Sequence, residues 1–284
     1  MYFVDLYSKY RGDHFNIGLE GAFVGGKIST GLALDAIPFS SFSSSGSGAG
    51  IIQLPASQTV QAILVGLEAD GHVDSAGDWS VKTGYASGDE TPLSTKITQY
   101  GFRPDYKIAM MLFDRPLGTS PSLYGGSASN PATNSKLTGG APITGNFINN
   151  ALYFALGYMH PFDIKDDIPQ ADWLKAGISV ATAWAPKRNV ALDFGTLLSN
   201  TNLPNVSDTA SSFFNRWYGA EIDLKTEASF FENLLTSFDF GVLIPGRAYY
   251  IDVTAIDPGN IIDPIPVDKA SPAIAARFTT MVTF

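Results

Sequence analysis

From Ala273 to the last residue the chain changes character at every step. Ile274, Ala276, Phe278, Thr280, Val282 and Phe284 fall on one side, and Ala273, Ala275, Arg277, Thr279 and Thr283 on the other. A repeat of two is the signature of an extended strand with unlike faces. The same alternation separates Tyr218, Ala220, Ile222 and Leu224 from Gly219, Glu221, Asp223 and Lys225, and Leu174, Ala176, Ile178, Val180 and Trp184 from Lys175, Gly177 and Ser179. It recurs over 15–23 with Glu20 on the polar side, 79–85 with Lys82, 190–196 with Asp193, and 236–242 with Asp239. Long stretches with apolar residues at helical spacing between a cap and a closing glycine are nearly missing. The chain is therefore expected to be all-β.

Strand length narrows the class further. A strand of an ordinary sandwich runs about 5 to 6 residues, whereas one that crosses a membrane at a tilt needs about 9 to 11. Eleven segments are expected: 2–10, 14–25, 58–70, 78–87, 106–113, 148–160, 172–185, 189–198, 213–226, 232–245 and 272–284. Most reach membrane length. Tyr2, Tyr10, Trp79, Tyr85, Trp173, Trp184, Phe214, Tyr218, Tyr249 and Tyr250 stand near segment ends, as two interfacial aromatic belts require. Only 16% of residues are charged and 28 are glycine, so one face is left apolar and the other small or polar. The expected fold is a transmembrane antiparallel β-barrel of about 11–12 strands, a single domain over 1–284; the alternative that alternation also allows is a soluble secreted β-sandwich.

Composition removes other classes. A net charge of −9 argues against a nucleic-acid partner. With no cysteine, disulfide frameworks, thiolate nucleophiles and cysteine metal sites are excluded. No apolar run approaches the roughly 18 residues of a membrane helix.

The last strand, closing on Phe284, resembles the C-terminal signal of bacterial outer-membrane barrels, which implies that it ends in the periplasm; counting strand directions back from it places 26–57, 88–105, 199–212 and 246–271 outside, and the links 11–13, 70–78, 186–189 and 226–231 on the periplasmic side. The same count gives strand 2–10 an inward direction. A closed even-numbered wall then needs a preceding strand, so the chain is expected to be the C-terminal part of a larger barrel. Residues 117–146, rich in Gly, Pro and Asn, carry no alternation and fall on the periplasmic side of this count. A stretch of that length is expected to have a task, and 114–147 is assigned as a periplasmic or interior-folded loop that constricts the passage. Ser40–Gly50 reads as a Gly/Ser-rich outer loop.

Two resemblances sharpen this picture. The terminal strand, with Phe278, Thr280, Val282 and Phe284 at every second position, resembles the C-terminal targeting signal of bacterial outer-membrane barrels, which implies the barrel-assembly machinery as a partner. Gly84-Tyr85-Ala86-Ser87-Gly88-Asp89, followed by Phe102-Arg103-Pro104-Asp105-Tyr106 and Met110-Met111-Leu112-Phe113, resembles the alginate-export-like outer-membrane porins of Gram-negative bacteria. That resemblance implies a large barrel, partly occluded by loops, passing a hydrophilic solute across an outer membrane of lipid and lipopolysaccharide.

The inward faces test the solute. Acids at Asp5, Glu20, Glu68, Asp193, Glu221, Asp223 and Asp239 face bases at Lys9, Lys82, Lys175, Lys225 and Arg277, seven against five. A polyanion path would be lined by Arg and Lys, so this balance favours neutral or weakly cation-preferring passage. Glu20, Lys82, Lys175, Asp193, Glu221, Asp223, Lys225, Asp239 and Arg277 are the expected pore-lining set. The patch Glu221, Asp223, Lys225 and Asp239 either orients a solute or is a ladder of ion pairs.

Catalysis has thin support. His160 with Asp163, Asp166, Asp167 and Asp172 suggests a loop-based hydrolase or calcium-dependent surface-binding protein as the alternative function, and Asp252, Asp257, Asp263 and Asp268 suggest a cation-collecting loop. No nucleophile elbow, zinc-protease helix or phosphate loop occurs. Neither a catalytic residue, a metal ligand nor a cofactor is assigned, and Arg11-Gly12-Asp13 reads as a turn rather than an adhesion motif.

Overall fold

The computed structural model describes residues 1–29, 57–73, 76–89, 96–103, 105–114, 148–164, 166, 168–187, 190–191, 212–213, 216–249 and 271–283. Its strands are β1 (Tyr2–Arg11), β2 (Phe15–Ser29), β3 (Ser57–Val73), β4 (Gly77–Ala86), β5 (Lys96–Ile97), β6 (Ala151–Phe162), β7 (Ala171–Trp184), β8 (Val190–Ala191), β9 (Ser212–Phe213), β10 (Trp217–Phe230), β11 (Leu234–Pro245) and β12 (Ala273–Val282). Nine of them, β1-β2-β3-β4-β6-β7-β10-β11-β12, lie side by side in chain order; β5 joins β3 in parallel and completes a ten-stranded sheet. Every pairing along the nine-strand path is antiparallel. No helix among the described residues is long and apolar enough to cross a membrane.

All-β architecture and the large antiparallel sheet are thus as the alternation predicts, with two differences. Residues 106–113, expected as a strand, are a chain of bends and turns lying on the sheet, because Met110-Met111-Leu112-Phe113 is apolar without alternation, and Met111, Leu112 and Phe113 in succession are buried rather than split between two faces. Of the expected strand 189–198, only β8 is described; the rest, with Asp193, lies outside the described residues.

Losing the strand at 106–113 changes the direction count. Ala86 at the end of β4 and Ala151 at the start of β6 are register partners, so the excursion 87–150 leaves and rejoins at one rim. The count that put 114–147 at the opposite end no longer holds; 115–147 themselves are outside the described residues. The strand ends that flank 30–56, 87–150, 185–216 and 246–272 all lie at that rim, and those that flank 12–14, 74–76, 163–170 and 231–233 lie at the other. Pro186–Asn189, expected among the short links, therefore belongs to the long-connection rim, and the acidic stretch after His160 belongs to the short one. Arg11-Gly12-Asp13 sits in a tight turn there, its Gly12 N–H donating to the Phe15 carbonyl at 2.9 Å.

The two faces differ as the sequence demands. Along β3, Val60, Ala62, Leu64 and Gly66 are buried while Gln61, Ile63, Val65 and Leu67 are exposed. The buried face, here called inner, collects Ala22, Leu64, Ala155, Ala181, Ala183 and Leu243 around the segment 101–114. The outer face carries exposed Leu6, Leu19, Val65, Leu156, Ile178, Ile222, Leu224 and Phe278. Its aromatics gather toward the strand ends: Tyr2 packs on Phe23 at one rim and Tyr10 on Phe15 at the other. Tyr218 departs from the expected outer belt. A register shift between Trp217 and Gly219, with Gly219 at φ +120°, turns its ring inward, where it is 1% exposed. Such a bulge needs a residue without a side-chain penalty at positive φ.

β1 and β12 border the sheet and are exposed along nearly their whole length.

Candidate functional site

The chemistry of this fold is concentrated on the inner face. Glu20, Lys82, Lys175, Glu221, Asp223, Lys225, Asp239 and Arg277 all lie in inward register positions, with Asp5, Lys9 and Glu68 alongside. Most of these charges are matched by neighbours. Lys175 Nζ meets Asp78 Oδ2 at 2.7 Å, whose other oxygen lies 2.6 Å from His72 Nδ1. Lys225 pairs with Glu227 at 2.6 Å, Lys82 reaches Glu68 at 3.6 Å, and Arg277 holds Asp239 at 2.9 Å. Asn16 donates to Asp70 at 2.8 Å. Asp78, His72, Asp70, Asn16 and Glu227 complete these pairs and were not singled out from the sequence; their inward parity was the available signal.

Toward the short-connection rim the inner face opens into a cavity of about 470 Å³, walled by Asn16, Asp70, His72, Asp78, Ser80 and Ser179 among others. Toward the other rim it is filled by the segment that follows β5. Phe102 stacks on Tyr106 at 5.1 Å and meets Tyr153 edge-on at 5.9 Å, and the Tyr153 hydroxyl donates to that of Tyr106 at 2.9 Å. Burial pushes the Tyr106 phenol above its ordinary range, so it stays neutral in this contact. Lys82 lies over the Tyr106 ring and donates to the Lys107 carbonyl at 2.9 Å. Gly84 makes room for the trio: a Cβ there would fall 2.4 Å from the Tyr153 hydroxyl.

Beyond Tyr106 the segment docks on β10. Glu221 accepts the Met111 N–H at 2.7 Å on Oε1 and the Leu112 N–H at 2.6 Å on Oε2, and Asp223 Oδ2 accepts the Met110 N–H at 3.2 Å. Three successive backbone donors thus converge on two carboxylates. Glu221 is wholly buried and Asp223 nearly so. Each such N–H to carboxyl bond is of the class worth about 0.5–1.5 kcal/mol, and more where the acceptor oxygen is ionised. The alternation brings Glu221 and Asp223 inward as expected, but the surface they face is Met110–Leu112 rather than open space. A turn closes the segment: Asp114 N–H donates to the Met111 carbonyl at 3.1 Å, Lys107 pairs with Asp114 at 2.6 Å, and Phe113, at φ +66°, packs edge-on against Tyr218 at 5.3 Å.

Among the described residues the acidic stretch after His160 does not assemble, and Asp167 lies outside them. Asp172 accepts the Ser229 hydroxyl at 2.9 Å and the Glu232 N–H at 2.7 Å and so braces the β10–β11 turn. His160 packs edge-on to Phe162 at 4.9 Å. Among the described residues no group of three or more His, Cys, Asp or Glu is arranged to hold a metal ion. Asp252, Asp257, Asp263 and Asp268 lie outside the described residues.

No protein-family model matches the chain, and no curated protein matches it.

Proposed function

We propose that this chain builds the wall of a porin-like channel or exporter in a Gram-negative outer membrane, through which a hydrophilic solute passes down its gradient. The observation that carries the proposal is the outer face of the sheet. Ile178 is 46% exposed, Ile222 41% and Phe278 69%, and nine neighbouring strands repeat the pattern. An exposed apolar surface of that extent is untenable in water and suits hydrocarbon, while ion pairs and small residues suit a wet interior. A soluble sandwich would cover these side chains with a second sheet.

A closed wall of wholly antiparallel strands is even in number. With nine on the path, β1 and β12 run the same way, and closure takes an odd number of further strands between them. In the closed wall the inner ion pairs replace lost hydration. Because Glu68, Asp78, Glu227 and Asp239 are each met by a base, the field is mixed, which favours neutral or weakly cationic solutes over a polyanion such as alginate. Lipid, lipopolysaccharide and the barrel-assembly machinery are the partners this reading supplies.

Purification tests the membrane half: the protein should need detergent and migrate faster on a gel before heating than after. A monodisperse species without detergent would refute it. Planar-bilayer recording tests the channel half, with discrete steps and a reversal potential near zero or on the cation side expected. Silence at every voltage would remove the channel.

A further inference from the structure

We infer that Glu221 and Asp223 are positioning residues that set the aperture of the passage, by holding residues 105–114 across the inner face as a latched plug. This rests on the channel reading for its conductance consequence; the latch itself does not.

Three features carry it. The segment is no part of the sheet, yet its successive N–H groups at Met110, Met111 and Leu112 are spent on side-chain carboxylates of β10 rather than on a strand. Both carboxylates belong to one strand face, two residues apart, so one wall element holds Met110, Met111 and Leu112 together. Gly241, the register partner of Asp223 on β11, keeps the space they occupy, since a Cβ there would lie 2.5 Å from Asp223 Oδ1. On the far side the segment is held by the Lys82 ammonium, which donates to the Lys107 carbonyl at 2.9 Å and lies over the Tyr106 ring, and by the Tyr106–Tyr153 bond and the Phe102 stack. The two carboxyl groups of β10 take three successive backbone N–H groups of the segment. Asp223 Oδ1 is buried without a partner, which leaves part of the pair's acceptor capacity unused. With the latch in place, the inner face keeps a cavity of about 470 Å³ at the short-connection rim.

The chain has no cysteine, so Met111→Cys, at a position 3% exposed, supplies a single thiol reporter. In detergent the thiol should react slowly with a maleimide in the otherwise native protein. Glu221→Gln, which exchanges one acceptor oxygen for a donor, should raise that rate roughly tenfold or more as the segment opens and should raise single-channel conductance in a planar bilayer, while heat-shifted gel migration stays unchanged. If Glu221→Gln fails to fold, Asp223→Asn, which leaves both Glu221 bonds intact, carries the same test with a smaller expected increase. Rapid labelling in the native wall, or labelling that neither variant accelerates, overturns the latch. Faster labelling with conductance present but unchanged overturns its role in the aperture. Faster labelling with no conductance in any protein upholds the latch and removes the channel reading instead.

Discussion

Arg277 and Asp239 are register partners on adjacent strands, and the guanidinium donates its Nε–H to Asp239 Oδ2 at 2.9 Å while Nη2 lies 2.9 Å from the same oxygen. Asp239 is 6% exposed, so this pair ties the border strand β12 to the inner face of β11. Arg277→Met would leave a buried carboxylate with no cation. Since the arginine is itself half in solvent, screening reduces the loss to about 1–3 kcal/mol. A lower temperature for the heat-shifted gel transition is expected, and Asp239→Leu added to Arg277→Met should recover part of it. Additive losses in the double variant would show that the two residues do not interact.

Leu224 stands midway along β10 on the outer face, 51% exposed. In hydrocarbon, Leu224→Lys should cost about 2–4 kcal/mol, whereas on a surface facing water it should be near neutral. Unfolding of the variant by guanidinium in lipid vesicles reads the difference, and an unchanged midpoint would mean that this side chain meets water.

Gly84 lies beneath the aromatic trio of the docked segment. Gly84→Ala would put a methyl 2.4 Å from the Tyr153 hydroxyl and 2.6 Å from the Val65 carbonyl, and backbone cannot retreat as a side-chain tip can. An overpacking loss of about 1–3 kcal/mol is expected, together with weaker near-ultraviolet circular dichroism from the displaced Tyr153. A wild-type midpoint would show that the ring has room to move.

The turn from β10 to β11 places Phe231 at φ +54° and Glu232 at φ +61°, a conformation that costs side-chain-bearing residues about 1 kcal/mol. Asn-Gly is the pair this geometry prefers. Phe231→Asn with Glu232→Gly should therefore raise stability by about 1 kcal/mol, keeping the N–H donated to Asp172. Destabilisation would mean that the exposed Phe231 ring earns its place as a membrane-interface contact.

The sheet was legible because its strands obey one rule that a single sequence displays: inner and outer residues alternate. The rule located nine long strands and the inward register of Glu221, Asp239 and Arg277. It could not say what an inward residue would face, which is why Glu221 and Asp223 read as a solute-orienting patch or a ladder of ion pairs. The docked segment escaped because it has no period; Met110-Met111-Leu112-Phe113 is greasy at every position, and a short run of that kind reads equally as a buried strand. Tyr218 escaped for a related reason, since one bulge residue reverses the facing of what precedes it. Directions then went astray downstream: counting 106–113 as a crossing reversed the side given to the loop after it.

Because the long excursions all depart from one border of the sheet and the tight returns from the other, the two borders are separately addressable. In a bilayer, an epitope grafted beside Lys187 and another grafted at Asn233 would open into opposite compartments, so no single impermeant antibody added to intact cells would find both.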